Sequence, residues 1–345
     1  MNDLQPILDK LYSGQSVSRE QAKHLFSAIV QGEMSEAAMA GMLVAMKMRG
    51  ETIEEISGAA DALLAAAKPF PTPNDATKKQ GIIDIVGTGG DGHNTINIST
   101  TAAFIAAAAG AKVAKHGNRG VSSKSGSSDL LAQFDIDLAM TPETARDCLD
   151  SFGLCFLFAP HYHGGVRHAV AVRQAIKTRT LFNVLGPLIN PSRPDYILLG
   201  VYSSELVEPI ANVLKALGMK RAMVVHGSGL DEVAVHGDTQ VCELNNGELS
   251  QYRLTPQQLG VEKAPLSQLE GGTPQQNADI TRAILQGKGQ SAHRDAVAVN
   301  AGCALYIAGV CDSPQSGVKL ALNTINGGNA YGLLAQLAEA SRQAN

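Results

Sequence analysis

The sequence is short of the features that would send a chain to a membrane, a nucleic acid or an oxidising compartment. No apolar run approaches the length that crosses a bilayer. The opening residues, MNDLQPILDK, have no basic segment leading into an apolar one, so a soluble cytoplasmic protein is expected. Lys and Arg number 28 against 32 Asp and Glu, a net charge of −4. No summed field then favours nucleic acid or anionic lipid, and any positive site must be local. Cys148, Cys155, Cys242, Cys303 and Cys311 form no CxxC pair and no Cys/His ligand spacing. A chain of 345 residues needs no disulfide staples, so buried free thiols are expected. His161, His163 and His168 lack the i, i+4 spacing and the nearby cysteine or acid that zinc requires.

What is present divides at a linker. Up to residue 68 the chain repeats polar starts followed by apolar residues at helical spacing, such as Ala22, Leu25, Phe26, Ile29 and Val30, then Met39, Met42, Leu43 and Met46. Gly32 and Gly50 stand where helices would stop, which predicts a small helical bundle whose methionines serve a core or a subunit contact. KPFPTPNDATKKQG, 68–81, concentrates proline and polar residues as linkers do. Beyond it, short apolar runs at 82–86, 112–116, 154–159, 196–202 and 221–227 alternate with helical patterns. That alternation predicts an α/β fold with a mostly parallel central sheet flanked by helices. VCELNNGELSQYRL reads as a hairpin. The expected organisation is a small helical domain over 1–70, joined by a helical segment near 165–182, and a large α/β domain over 71–345.

GTGGDGHNTINIST, 87–100, follows the first strand and so lies at the carboxyl edge of the sheet, where ligands of such folds bind. Its glycines let backbone N–H groups approach an anion, and Asn97 or Ser99 could cap the apolar helix that follows. A phosphate site is the expectation. Gly87, Gly89 and Gly92 satisfy GxGxxG, yet the helix starts too late and the second strand ends in KHGNRG rather than an acid, so the dinucleotide reading fails. His93 stands where a P-loop needs lysine. KHGNRGVSSKSGSSD supplies a second cradle: Lys112, Lys115, Arg119 and Lys124 with no acidic residue between them. Two such loops on adjacent strand ends suit a ligand with two separated phosphate groups. Asp91 and the pair Asp231–Glu232 are awkward beside an anion unless a divalent cation such as Mg²⁺ lies between.

GTGGDG, NIST, KHGNRGVSSKSGSSD, NVLGPLINP and GLDEV occur in the order and approximate spacing of the anthranilate phosphoribosyltransferase family, which the chain resembles over nearly its whole length. The resemblance implies transfer of phosphoribosyl from 5-phosphoribosyl 1-pyrophosphate to anthranilate, with release of pyrophosphate, in tryptophan biosynthesis, by a Mg²⁺-using homodimer. It places Gly87, Gly90, Asp91, Thr95, Asn97, Ile98, Ser99 and Thr100 on the phosphoribosyl pyrophosphate. Lys115, His116, Gly117, Asn118, Arg119, Gly120, Val121, Ser122, Ser123 and Ser127 close its other side. Ser99, Asp231 and Glu232 are implied for the metal, and Gly87, Asn118 and Arg173 for anthranilate. Arg173 also stands out by itself, since a helix over this segment sets it beside Val166, Ala169, Val170 and Ile176, an apolar stripe where a guanidinium wants an anion. The chain departs from the family where many members read His-Pro-Ala and this one reads His163, Gly164, Gly165, Val166. No essential general base is expected, with His116 at most positioning the amine, and no appended amidotransferase domain is expected. Two rivals share the architecture: a pyrimidine-nucleoside phosphorylase, which the acidic metal pair opposes, and a nucleic-acid-binding relative, which the negative charge opposes.

Overall fold

The computed structural model describes residues 3–120 and 124–342. Seven strands form one sheet in the order β3-β2-β1-β4-β5-β6-β7. They are β1 (Ile83–Gly87), β2 (Val113–Gly117), β3 (Leu154–Phe158), β4 (Tyr196–Gly200), β5 (Arg221–Gly227), β6 (Thr239–Asn245) and β7 (Glu248–Leu254). The first five run parallel, and β6 and β7 are antiparallel. All the apolar runs read as strands are strands. The hairpin turn is Asn246–Gly247, with φ of 48° and 89°, the positive pair that a two-residue turn between twisted strands requires.

Alternation along the strands feeds two separate cores. Ile197 and Leu199 point to one face of β4 and Leu198 to the other; Ala222 and Val224 part from Met223 and Val225 in the same way. One core lies under the helices Ile98–Ala108 and Ser291–Ile307. The other runs without interruption into the N-terminal helices α1 (Gln5–Tyr12), α2 (Arg19–Gln31), α3 (Glu36–Arg49) and α4 (Ile53–Ala65).

Those helices start and stop where local chemistry dictates. Ser18 with Gln21, and Thr52 with Glu55, form capping boxes at the starts of α2 and α4, and Gly32 ends α2 in the left-handed conformation. Glu55 is wholly buried and ties the bundle together, accepting from Val17 N–H at 3.0 Å and pairing with Arg49 at 2.6 Å. Met39, Met42, Leu43 and Met46 are all core residues. Between bundle and sheet, α5 (Asp75–Gln80) is capped by Asn74. The next helix, α6 (Ile98–Ala108), follows the glycine loop.

The segment carrying Arg173 is not the single helix its periodicity predicts. Gly164–Ala169 makes a 3-10 turn against α2, and only Val170–Ile176 is α-helical, packing on α3. Val166, Ala169 and Ile176 pack on the core as the stripe predicts, but Val170 is 44% exposed and Val172 is buried in its place. The departure from His-Pro-Ala has a steric basis. A Cβ on Gly165 would lie 2.5 Å from the Val30 carbonyl oxygen, so the close approach of α2 requires glycine.

Candidate active site

The sheet order sets β1 between β2 and β4, so the glycine loop leaves β1 at the point where the strand order reverses. It is fastened on three sides. Thr88 N–H donates to the Gly200 carbonyl at 2.9 Å, Ile96 N–H to the Leu269 carbonyl at 3.0 Å, and Gly89 N–H to Asp231 Oδ2 at 2.6 Å. Thr95 bridges to Glu270. The loop approaches Asp231 too closely for any side chain: a Cβ on Gly87 would sit 2.2 Å from Asp231 Oδ2, and one on Gly200 would sit 1.7 Å from the Asp231 carbonyl oxygen. Among the described residues, no acceptor is bonded to the N–H groups of Gly90, Asp91 or Gly92, so main-chain donors are free to hold an anion.

The helix cap differs from the expectation. Asn97 holds the N-cap position of α6, but its side chain makes no cap bond. Its amide donates to the Ser125 carbonyl at 3.0 Å, and its oxygen accepts from Ser125 Oγ at 3.1 Å and Asn277 Nδ2 at 2.8 Å. Asn97 thereby staples the glycine loop to the basic loop, a junction that Lys124 N–H reinforces by donating to Asn94 Oδ1 at 3.2 Å. The capping acceptor comes from elsewhere: Glu232 Oε1 accepts from Ser99 N–H at 3.2 Å. Ile98 and Thr100 are buried in the core, so Ile98 has no side-chain polar group to offer a ligand and its N–H is already given to the Ile96 carbonyl at 2.8 Å.

Lys115 is 3% exposed and donates to the Ile85 carbonyl at 2.5 Å and to Ser99 Oγ at 3.3 Å. Among the described residues no carboxylate stands within ion-pair distance of it. Burial lowers its pKa, while Asp84, Glu232 and Asp231 act in the opposite sense. A buried ammonium at the start of α6 with no ion pair among the described residues wants an anion. Asp84, fully buried on β1, accepts from Asn190 Nδ2 at 2.8 Å and His116 N–H at 3.4 Å, and burial pushes it up to about 6 against the pull of Lys115. Lys112 does not join the cradle, because it donates to the carbonyls of Leu149 and Asp150 before β2 begins.

Beyond β2, Gly117 closes against Ser127, whose Oγ donates to the Asn118 carbonyl at 3.1 Å. Asn118 Oδ1 accepts from Arg119 N–H, and Asp129 accepts from the N–H groups of Gly120 and Gly126 at 2.8 and 2.9 Å. The Arg119 guanidinium lies 5.8 Å from the Phe158 ring centre. Val121, Ser122 and Ser123 lie outside the described residues. His116 is buried, its Nδ1 3.1 Å from the Gly186 carbonyl and its ring edge-on to His163 at 5.2 Å. Burial, then His163, pushes it down to about 3, so it is neutral.

Asp231 and Glu232 follow β5 on a turn held by His226. That imidazole meets the Val201 carbonyl at 2.8 Å through Nδ1 and accepts Gly229 N–H at 3.2 Å through Nε2. A carbonyl only accepts and an amide only donates, so the proton is on Nδ1. Burial pushes Asp231 up to about 7, with Asp91 adding to it; burial and then Asp231 push Glu232 up to about 8. Asp91, Asp231 and Glu232 thus lie close enough for the charge of one to raise another. No group of three or more His, Cys, Asp or Glu among the described residues could by itself hold a metal. Two hard oxygen donors completed by ligand phosphates are the arrangement that Mg²⁺ takes, and the residues fit it.

Arg173 is half-buried, 5.1 Å from the Phe182 ring centre, with its pKa lowered by burial and no ion pair among the described residues. Asn190, His226 and Arg179, which donates to the Gly90 carbonyl, carry parts of the site that sequence reasoning left without a role.

Residues 5–67 match the helical bundle domain, and residues 79–331 the a/b domain, of a glycosyl transferase family. The anthranilate phosphoribosyltransferase of Shewanella loihica is 74% identical over 345 residues, covering 100% of this chain and 99% of its own length. That of Shewanella baltica is 72% identical, covering 100% and 97%. The chain belongs to the anthranilate phosphoribosyltransferase family. Solved structures of anthranilate phosphoribosyltransferases agree in fold. The Thermus thermophilus enzyme superposes with a TM-score of 0.92 at 41% identity, covering 97% of this chain and 99% of the other. The Saccharomyces cerevisiae enzyme in complex with PRPP and Mg gives 0.88 at 29%, covering 99% and 98%. Membership makes the chain a glycosyltransferase of tryptophan biosynthesis, as its motifs lead one to expect.

Proposed function

We propose that this chain transfers phosphoribosyl from 5-phosphoribosyl 1-pyrophosphate to the amine of anthranilate with the residues assembled around the glycine loop, and that it does so by electrostatics and positioning. The observation that carries this reading is the buried Lys115, without an ion pair among the described residues, donating to Ser99 at the end of a glycine loop whose N–H groups at Gly90, Asp91 and Gly92 are free. The C1–oxygen bond to pyrophosphate breaks, the nitrogen–C1 bond forms, and the amine's proton passes to solvent. Negative charge grows on the departing pyrophosphate, where Lys115, the free amides of Gly90, Asp91 and Gly92 and the start of α6 act on it. Mg²⁺, held by Asp231 and Glu232 with Ser99 nearby, would neutralise further charge on the same group. Asn118 to Gly120 and Ser127 close the ribose side. Arg173 pairs with the anthranilate carboxylate, whose solvation its half-buried, unpaired guanidinium replaces. Gly87 and Asn118 complete that pocket, and neutral His116 orients the amine without taking its proton.

Relatives in complex with PRPP and Mg, and with 4-fluoroanthranilate, support the ligand assignments. The chain acts in the cytoplasm, and as a homodimer, the second reading supported by the exposed apolar side chains Tyr12, Val44 and Met48 on α1 and α3. No helix among the described residues is long and apolar enough to cross a membrane.

The test is loss of anthranilate fluorescence on mixing with phosphoribosyl pyrophosphate and Mg²⁺. Turnover that needs all three, and stops in chelator, is expected. Turnover undiminished by chelator would remove the metal from the scheme. With Arg173→Gln, the KM for anthranilate should rise about tenfold while that for phosphoribosyl pyrophosphate holds.

A further inference from the structure

We propose that Arg179 is a positioning residue for the glycine loop, aiming the loop's main-chain donors at the pyrophosphate. Arg179 follows the helix Val170–Ile176, just beyond Lys177, whose φ of 45° turns the chain out of the helix. Its Nη2 donates to the Gly90 carbonyl oxygen, and its guanidinium lies 3.9 Å from the centre of the Tyr202 ring. Among the described residues it makes no ion pair. An exposed arginine with no carboxylate is thus held by Tyr202, through its ring face and its hydroxyl, and by the hydrogen bond to the loop.

Peptide planarity turns this contact into a direction. Because the unit from Gly90 to Asp91 is trans and flat, a carbonyl drawn toward Arg179 sends the Asp91 N–H the opposite way, away from the guanidinium. That N–H, like the one of Gly92, is unbonded among the described residues. Gly90 itself, at φ 82°, occupies a conformation few other residues would hold without help. The stacking partner is fixed to the same loop: Tyr202 N–H donates to Thr88 Oγ1 at 3.1 Å. Arg179 therefore braces the outer half of the glycine loop against the end of β4, from the same stretch that carries Arg173.

The inference rests on the phosphoribosyl pyrophosphate reading of the loop, and the experiment separates the two. Titration calorimetry with phosphoribosyl pyrophosphate and Mg²⁺, together with steady-state kinetics in both substrates, is applied to the full chain and to Arg179→Met, Arg179→Lys, Tyr202→Phe and Tyr202→Leu. Arg179→Met should raise both Kd and KM for phosphoribosyl pyrophosphate about tenfold and leave the KM for anthranilate unchanged. Arg179→Lys should recover less than half of that loss, because an ammonium has neither the flat face nor the fork. Tyr202→Phe, which keeps the flat face and loses only the hydroxyl, should show a smaller rise in Kd than Tyr202→Leu, which loses both; this order decides the matter if the arginine variants fail to fold, and equal or absent effects of the two overturn the inference. An unchanged Kd in Arg179→Met, or full recovery in Arg179→Lys, overturns the inference. A parent protein that does not bind phosphoribosyl pyrophosphate overturns the reading beneath it.

Discussion

Gly90, Asp91 and Gly92 present neutral main-chain donors that water can solvate, whereas Lys115 and Asp231 are ionisable groups already taken out of water, with Glu232 half-buried beside them. The first wall costs little to leave empty, since exposed amides lose nothing without a partner. The second is strained by burial, and the proposed ligand with its metal would relieve that strain. The difference teaches where binding energy resides: geometry is stored in the glycine loop, and electrostatic free energy in the charges at the ends of β2 and β5.

The sharpest way to break the comparison is to break the geometry alone. Gly200→Ala puts a Cβ where the Asp231 carbonyl already is, so the turn bearing Asp231 and Glu232 must shift. A loss of about 100-fold in kcat/KM is expected, with destabilisation of about 3 kcal/mol, read by kinetics and by Tm. Retained activity would show that the close approach is not needed.

The charged wall has its own signature in pH. Asp231 and Glu232 are raised to about 7 and about 8, above the unfolded carboxylate range near 4. The native state therefore binds more protons than the unfolded one across this window, and the stability of the metal-free protein falls as pH rises from about 4 to about 8. The fall should be on the order of a few kcal/mol in denaturant unfolding, and Asp231→Asn should flatten it. A metal-free stability that climbs through the window would contradict this account of the wall.

The smallest effect is expected at His116. Held neutral by burial and His163, it has no proton to exchange near neutral pH, so His116→Asn should keep kcat within about tenfold. The pH–rate profile should keep its shape between about pH 6 and 9. A lost limb would restore general-base catalysis at this residue.

Much of this was legible in the chain. Five apolar runs announced five parallel strands because parallel strands are buried on both faces, and the NNG turn announced the hairpin. The glycine loop, Lys115 and the Asp231–Glu232 pair were legible because small residues, an acid-free basic run and adjacent acids are unusual at strand ends. Other features were hidden by distance in sequence. Arg179 reaches a carbonyl 89 residues away, and the cap of α6 is a glutamate 133 residues from Ser99; no local pattern announces either. Asn97 looked like a cap because its residue type and place were right, and only the competing Ser125 and Asn277 drew its side chain off. The helix read through 164–176 broke because periodicity says nothing of the backbone of α2 pressing on Gly165.

The second core has a consequence for how the chain is made. Leu25, Phe26, Met42 and Met46 leave the ribosome early, but Leu181, Phe182, Leu188, Ile210 and Leu214, which close the same core, follow only after the whole stretch from 66 to 180. At about 5–20 residues per second that wait is on the order of ten seconds. The nascent helices spend it with an oily flank uncovered, so completion of the N-terminal bundle belongs to the second half of synthesis rather than the first.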